Sequence, residues 1–243
     1  MIKAVTFDFW QTLVEDSPVN LARQQARRIE AIGRSLHRAG HRLSAAEVEA
    51  VYAQSERVLH ERFWSLDRDP LIADQVRLVL DLAAPGCSAA FEAALLEEVI
   101  TGYIDPVLHF PPDLHPGAAE AVTELAARGI ALGIVSNTGR TPGIILRQIL
   151  ERHDLLRHFS VISYSDEIGY RKPDPEIFRR TLAALGAEAR HAAHVGDNPD
   201  ADVTGAQGAG MRGVHLAAGG RPPAPHADLV VTDLRHLAER LLG

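Results

Sequence analysis

The chain has 243 residues, and 25 Lys+Arg against 32 Asp+Glu leave a formal net charge of −7. A composition of 46% hydrophobic and 23% charged residues is that of a globular protein and excludes collagen-like, coiled-coil and disordered classes. The acidic balance argues against a nucleic-acid partner, whose phosphates require a basic surface, and leaves small anions as ligands.

The one cysteine, Cys87, cannot make an intramolecular disulfide, and no run of about 18 apolar residues offers a membrane span. Asp8 stands where a signal peptide would continue its apolar stretch, so the expectation is a soluble cytoplasmic protein with no membrane partner. Residues 2–9 are short, apolar and rich in β-formers, the pattern of a strand buried on both faces. Only helical patterns follow for the next hundred or so residues. Ser17-Pro18 opens a first helix with Leu21, Gln25, Ile29, Ile32 and Leu36 along one face and Gly40 beyond its end. Ser44 and Glu47 form a capping box, after which Val48, Val51, Tyr52, Ser55, Leu59, Arg62 and Phe63 recur at helical spacing. Two more helices are expected near 70–82 and 88–103, the apolar stripes forming a bundle core. Residues 105–116, with four prolines, read as a return linker.

Helices and strands then alternate. Helices are expected at 116–128, 142–152, 175–185 and about 200–209, and strands at 130–136, 159–165, 191–195 and 213–216. Gly129 and Gly186 close two of the helices, and Asp174-Pro175 opens one. Such alternation predicts a parallel sheet covered on both faces. The fold class is therefore α/β: a Rossmann-like parallel sheet core at 1–14 and 113–243, interrupted by an inserted α-helical bundle at 15–112.

In open α/β sheets, ligands gather beyond the carboxyl ends of the strands. Four predicted ends carry related polar residues: Asp8-Phe9-Trp10-Gln11-Thr12, Ser136-Asn137-Thr138, Arg171-Lys172-Pro173-Asp174-Pro175 and Gly196-Asp197 through Asp202. Acids on two strand ends can share a divalent cation through oxygen ligands. A hydroxyl with nearby amides can hold an anion, a lysine can balance its charge, and a carboxylate can act as nucleophile.

These segments resemble, in order and spacing, the motifs of the haloacid dehalogenase (HAD) superfamily of aspartate-nucleophile hydrolases, and the likeness covers the whole chain. The resemblance implies that Asp8 is the nucleophile and a metal ligand, with Trp10 and Thr12 beside the substrate. It implies that Ser136 and Asn137 hold the transferring group and that Lys172 balances its charge. Asp197 would ligate Mg²⁺, Asp202 would support the site, and the insert would be the family's helical cap. Trp10 departs from the pattern of the family's phosphatases, which have a second aspartate there as general acid and base; an indole transfers no proton usefully at neutral pH. Its backbone carbonyl can still ligate a metal. Gln11 replaces the usual glycine.

Haloacid dehalogenases proper also have an aromatic residue at the second position, because halide leaves without a proton, but they dispense with the metal acid. Asp197 therefore favours a Mg²⁺-dependent phosphatase acting on a small, phosphorylated anion. The alternatives are a 2-haloacid dehalogenase-type hydrolase and a weakly active homologue that binds a phospho-ligand or a protein. Gly208-Ala209-Gly210-Met211-Arg212-Gly213 matches a dinucleotide fingerprint only by letters, since it closes a helix and leads into a strand. None of the 12 histidines is expected to have a role; His191 and His194 are expected on one strand, facing opposite ways. Packing or surface positions account for Arg62, Phe63 and Trp64, and a solvated helix face accounts for Arg23, Arg27 and Arg28. Asp166 and Glu167 border the lysine loop without an assigned role.

Overall fold

In the computed structural model, which describes residues 1–243, the chain opens with β1 (Ala4–Phe7), all four residues buried. A short turn leads to β2 (Val14–Glu15) and then into the helices. Ser17 caps α1 (Pro18–Arg38) by accepting from the Asn20 amide, and the Ser44–Glu47 box closes in both directions at the start of α2 (Ala45–Arg62). α3 (Ile72–Ala83), α4 (Cys87–Ala90), α5 (Ala93–Ile104) and α6 (Pro106–His109) complete the insert.

In the insert and its return, three features differ from the sequence expectation. The fourth helix is two, because Phe91 takes an extended backbone (φ −73°, ψ 123°) and buries its ring in the insert's apolar cluster. The buried face of α1 is Gln24, Arg28, Ala31, Ile32, Ser35 and Leu36, whereas Leu21 and Gln25 are exposed. Gln24 is drawn inward by hydrogen bonds from its Nε2 to Asp16 Oδ2 (2.8 Å) and the Phe110 carbonyl (2.9 Å). The return linker holds α6 and a strand, β3 (Asp113–Leu114), which pairs antiparallel with β2 so that Val14 faces Leu114 and Glu15 faces Asp113. The two passages between insert and core thus run side by side.

The core continues with α7 (Ala118–Ala127), β4 (Ala131–Ser136), α8 (Gly143–Arg152), β5 (Val161–Tyr164) and α9 (Ser165–Ile168). It proceeds through α10 (Pro175–Leu185), β6 (Ala192–Gly196), a π-helical turn at Pro199–Thr204, α11 (Gly205–Gly208) and β7 (Arg212–Leu216). β8 (Leu229–Val231) and α12 (Leu237–Leu242) end it. The six-stranded sheet has the order β5-β4-β1-β6-β7-β8 and is parallel throughout. β8 has no counterpart in the sequence reading, since a three-residue strand shows no alternation.

Residues alternate along β1: Val5 and Phe7 enter a cluster of 29 buried apolar residues with α7, α8 and α12, while Ala4 enters one of 8 with α10 and α11. The insert has its own cluster of 11, and half-buried Ile104 borders both this and the largest one. Because the chain goes from β1 to β4 and β5 on one side and then crosses to β6 on the other, the carboxyl ends of β4, β1 and β6 open a crevice at the switch point. No helix is long and apolar enough to cross a membrane.

Candidate active site

Asp8 is the first residue beyond β1, held by its amide's hydrogen bond to the Val195 carbonyl (2.9 Å). Lys172 Nζ reaches it from the loop before α10, 2.6 Å from Asp8 Oδ1 and 2.6 Å from Asp202 Oδ1, and all three side chains are buried. Asn137 fixes that loop: its Oδ1 accepts from the Lys172 amide (2.8 Å) and its Nδ2 donates to the Lys172 carbonyl (3.0 Å). The Asn137 side chain is therefore committed to placing Lys172.

Asp202 lies on the π-helical turn after β6, where its Oδ2 accepts from the Asn198 amide (2.8 Å). Gly196 makes this possible, because a Cβ there would sit 2.1 Å from the Asp202 Cγ. His194 Nε2 lies 3.2 Å from Asp202 Oδ1, and its Nδ1 lies 2.8 Å from Thr6 Oγ1. Burial pushes the His194 pKa down, so the neutral ring donates from Nε2 to the carboxylate and accepts the Thr6 hydroxyl at Nδ1. His215 accepts the Ala224 amide at Nδ1 (3.0 Å) and donates from Nε2 to the Asp197 carbonyl (3.1 Å). Two histidines thus hold the acid-bearing segment, a correction to the expectation that no histidine has a role. His191 lies outside β6, in the preceding 3₁₀ turn.

Burial raises the Asp8 pKa, and Asp202 raises it further, while Lys172 opposes both. For Asp202 burial acts the same way but is outweighed by Lys172 and His194, so its pKa falls below the usual carboxylate range. Burial alone would lower the Lys172 pKa; the charges of Asp202 and Asp8 overcome it and raise the pKa. Asp197 is pushed up to about 6 by burial and by Asp8 and Asp202, against the opposing Arg221, whose Nη1 lies 2.7 Å from Asp197 Oδ2.

Asp8, Asp197 and Asp202 each place an oxygen within 4.8 Å of the others. One lysine and one arginine face these three acids. An all-oxygen, anionic donor set suits Mg²⁺. The hydroxyls of Ser136 and Thr12 are buried with no hydrogen-bond partner. Trp10 is half-buried with its ring edge-on to Phe9 (centroids 4.9 Å), and Gln11 takes φ 57°.

Residues without an assigned role are also placed. Arg28 is buried rather than solvated, donating to the Tyr103 carbonyl (2.9 Å) and Thr141 Oγ1 (3.0 Å), whereas Arg23 is exposed and Arg27 pairs with Asp105 and His109. Asp166 caps the Gly143 amide at the start of α8, and Glu167 pairs with Arg147. Trp64 donates its indole N–H to Asp69 Oδ1 (2.8 Å), a buried acid that the sequence reading missed because nothing local marks it. A cleft of about 910 Å³ lies between α1 and α2 and is lined by none of the predicted site residues.

The haloacid dehalogenase-like hydrolase family model matches residues 2–210. A phosphoserine phosphatase of Thermus thermophilus is 33% identical, the match spanning 99% of this chain and 100% of the relative. A glyceraldehyde 3-phosphate phosphatase of Methanopyrus kandleri is 30% identical over 90% of this chain and 85% of the relative. Among solved structures, a 2-haloacid dehalogenase from Pseudomonas syringae pv. Tomato has a TM-score of 0.74 at 26% identity, covering 100% of this chain and 99% of that one.

Proposed function

This chain belongs to the haloacid dehalogenase-like hydrolases, and from that premise we propose that it is a Mg²⁺-dependent phosphatase of small phosphorylated metabolites. The observation that carries the reading is Asp197, whose carboxylate converges with those of Asp8 and Asp202. Phosphatases among the full-length relatives support it. In this reading the core comprises 1–14 and 113–243, and residues 15–112 form a cap that selects the substrate. The single, buried Cys87 suits a reducing cytoplasmic setting.

Asp8 attacks phosphorus in line: a bond forms from its carboxylate oxygen to phosphorus as the bond to the leaving oxygen breaks, giving an aspartyl-phosphate. Lys172 and the free hydroxyls of Ser136 and Thr12 hold the phosphoryl oxygens. Water then cleaves the acyl phosphate, releasing phosphate and regenerating Asp8. Asp8, Asp197 and the Trp10 carbonyl would hold Mg²⁺, which supplies charge neutralisation at the phosphoryl group. Asp202, fixed by Lys172, His194 and the Asn198 amide, keeps Lys172 charged and in place. With no proton donor at position 10, the favoured substrates have leaving groups that depart unprotonated, such as acyl or aryl phosphates and anhydrides.

A second reading, carbon–halogen hydrolysis by Asp8, is favoured by Trp10 and by the solved dehalogenase neighbour. One assay separates the two: p-nitrophenyl phosphate and acetyl phosphate against 2-haloacids, with and without Mg²⁺. Metal-dependent phosphate release is expected. Metal-independent halide release would replace the phosphatase reading with the dehalogenase one, and no turnover of either kind would leave a phospho-ligand or protein-binding homologue.

A further inference from the structure

Four consecutive core residues, Thr138 to Thr141, directly follow Ser136-Asn137, and each is held by a different side chain of the insert. Thr138 Oγ1 lies 3.4 Å from Asp69 Oδ2, and the Gly139 carbonyl accepts from Gln75 Nε2 at 2.9 Å. The Arg140 guanidinium lies 4.2 Å from the Tyr52 ring centroid and donates to Tyr103 Oη at 2.5 Å, while Thr141 Oγ1 accepts from Arg28. The insert also lies along the loop that carries Lys172. The Arg171 amide donates to the Asp67 carbonyl (2.9 Å), and Arg68 stacks on Tyr170 and pairs with Asp174 at 2.8 Å.

Asp69 joins the two loops. Its side chain has 0% exposure, and it accepts from Ser165 Oγ at 2.5 Å, Arg171 Nη1 at 2.7 Å and Trp64 Nε1 at 2.8 Å. Ser165 Oγ in turn accepts the Thr138 amide N–H at 2.9 Å. A hydroxyl has one proton and an ionised carboxylate only accepts, so the proton of Ser165 goes to Asp69 and its lone pairs face Thr138. An insert residue thereby reaches, through one hydroxyl, a backbone amide two residues after Ser136. A buried carboxylate in this position is costly unless every partner is present, so the relay is made only when the insert is docked on both loops.

We infer that Asp69 is a positioning residue: through Ser165 it orients the anion-binding loop 136–138, and through Arg171 it holds the lysine loop. The identity of the anion rests on the phosphatase reading, whereas the mechanical link does not. The test compares Asp69→Asn and Ser165→Ala in the full-length protein. Ser165→Ala leaves the Asp69–Arg171 pair in place and keeps the test valid if Asp69→Asn fails to fold. Two quantities are read in each: calorimetric affinity for inorganic phosphate with Mg²⁺ present, and amide hydrogen exchange of the 136–141 segment without ligand. Both variants are expected to exchange faster in 136–141 and to bind phosphate at least about tenfold more weakly, the loss typical of one charge-assisted hydrogen bond. Folded Ser165→Ala with wild-type exchange at 136–141 would overturn the inference, as would a lower melting temperature with phosphate affinity unchanged. If the wild-type protein binds no phosphate, the phosphatase reading fails, and the exchange measurement alone decides the role of Asp69.

Discussion

Gln11 occupies φ 57°, in the left-handed region that costs a residue with a Cβ about 1 kcal/mol, at the position where the family's pattern has glycine. Glycine would relieve that strain but loses about 0.4–1 kcal/mol through the greater freedom of its unfolded chain, so Gln11→Gly should be neutral to within about 0.5 kcal/mol. Gln11→Ile, with a branched Cβ in the same region, should destabilise by roughly 1–2 kcal/mol; urea unfolding of both variants checks this. Next to it, Trp10→Asp tests the leaving-group argument. It should raise turnover of simple alkyl phosphates by about 10²-fold or more, the scale of general acid catalysis, and change acyl phosphates far less. Equal effects on the two classes would mean that the missing acid is supplied from elsewhere. At Asp197 the expectation is thermodynamic: Mg²⁺ at a hundredfold over its Kd should stabilise the wild-type fold by about 2.7 kcal/mol, seen as a rise in Tm, and Asp197→Asn should abolish the rise. The acids and lysine that the structure brings together were visible in the sequence because each follows a strand of a parallel sheet. Asp69 was not, since 96 positions separate it from Ser165 and its burial comes only with docking. His194 was hidden for a related reason: inside β6 it reads as one more strand residue, and its partner Asp202 comes alongside only through the π-helical turn.

Among the elements, α1 and α5 pack at close range because Gly102 faces Ala31: a Cβ at Gly102 would lie 2.6 Å from the Ala31 Cβ. Gly102→Leu should separate these helices and cost about 1–3 kcal/mol by overpacking, measurable as a lower denaturation midpoint with little change in the chemistry at Asp8. Periodicity revealed α2 and α10 well, because Val48, Tyr52, Ser55 and Leu59 bury one face of α2, and because Asp174 and Gly186 bracket α10. It misled on α1. Of the face read there, Ile32 and Leu36 are buried, but Leu21 and Gln25 are not, because Gln24 and Arg28 take the inward positions through hydrogen bonds to other parts of the chain. β2, β3 and β8 are two or three residues long, too short for any periodicity, and exist through pairing partners distant in sequence.

For the molecule as a whole, the apolar interior falls into clusters of 29 and 8 residues around the sheet and one of 11 in the insert. The insert's separate cluster, smaller than the two around the sheet together, should open at lower free energy, so amides of α2 and α3 are expected to exchange faster than those of β1 and β4 in native-state hydrogen exchange. Equal protection would mean that the polar contacts around Asp69 and Arg140 merge the two bodies into one cooperative unit. The net charge of −7 proves a poor guide to the crevice, where the acids lie against Lys172 and Arg221.

The pairing of β2 with β3 has one more consequence. Glu15 and Asp113 face each other across an antiparallel ladder, so the ends left by removing everything between them stand as close as the arms of a hairpin. A two-residue turn such as Asn-Gly spans that gap. The helical part is in this sense a cassette on a socket: it can be excised, or another graft fitted, with the two arms of the socket left as they are. A graft that keeps the strand-end loops in place must also supply the contacts that Asp69 makes to Ser165 and Arg171.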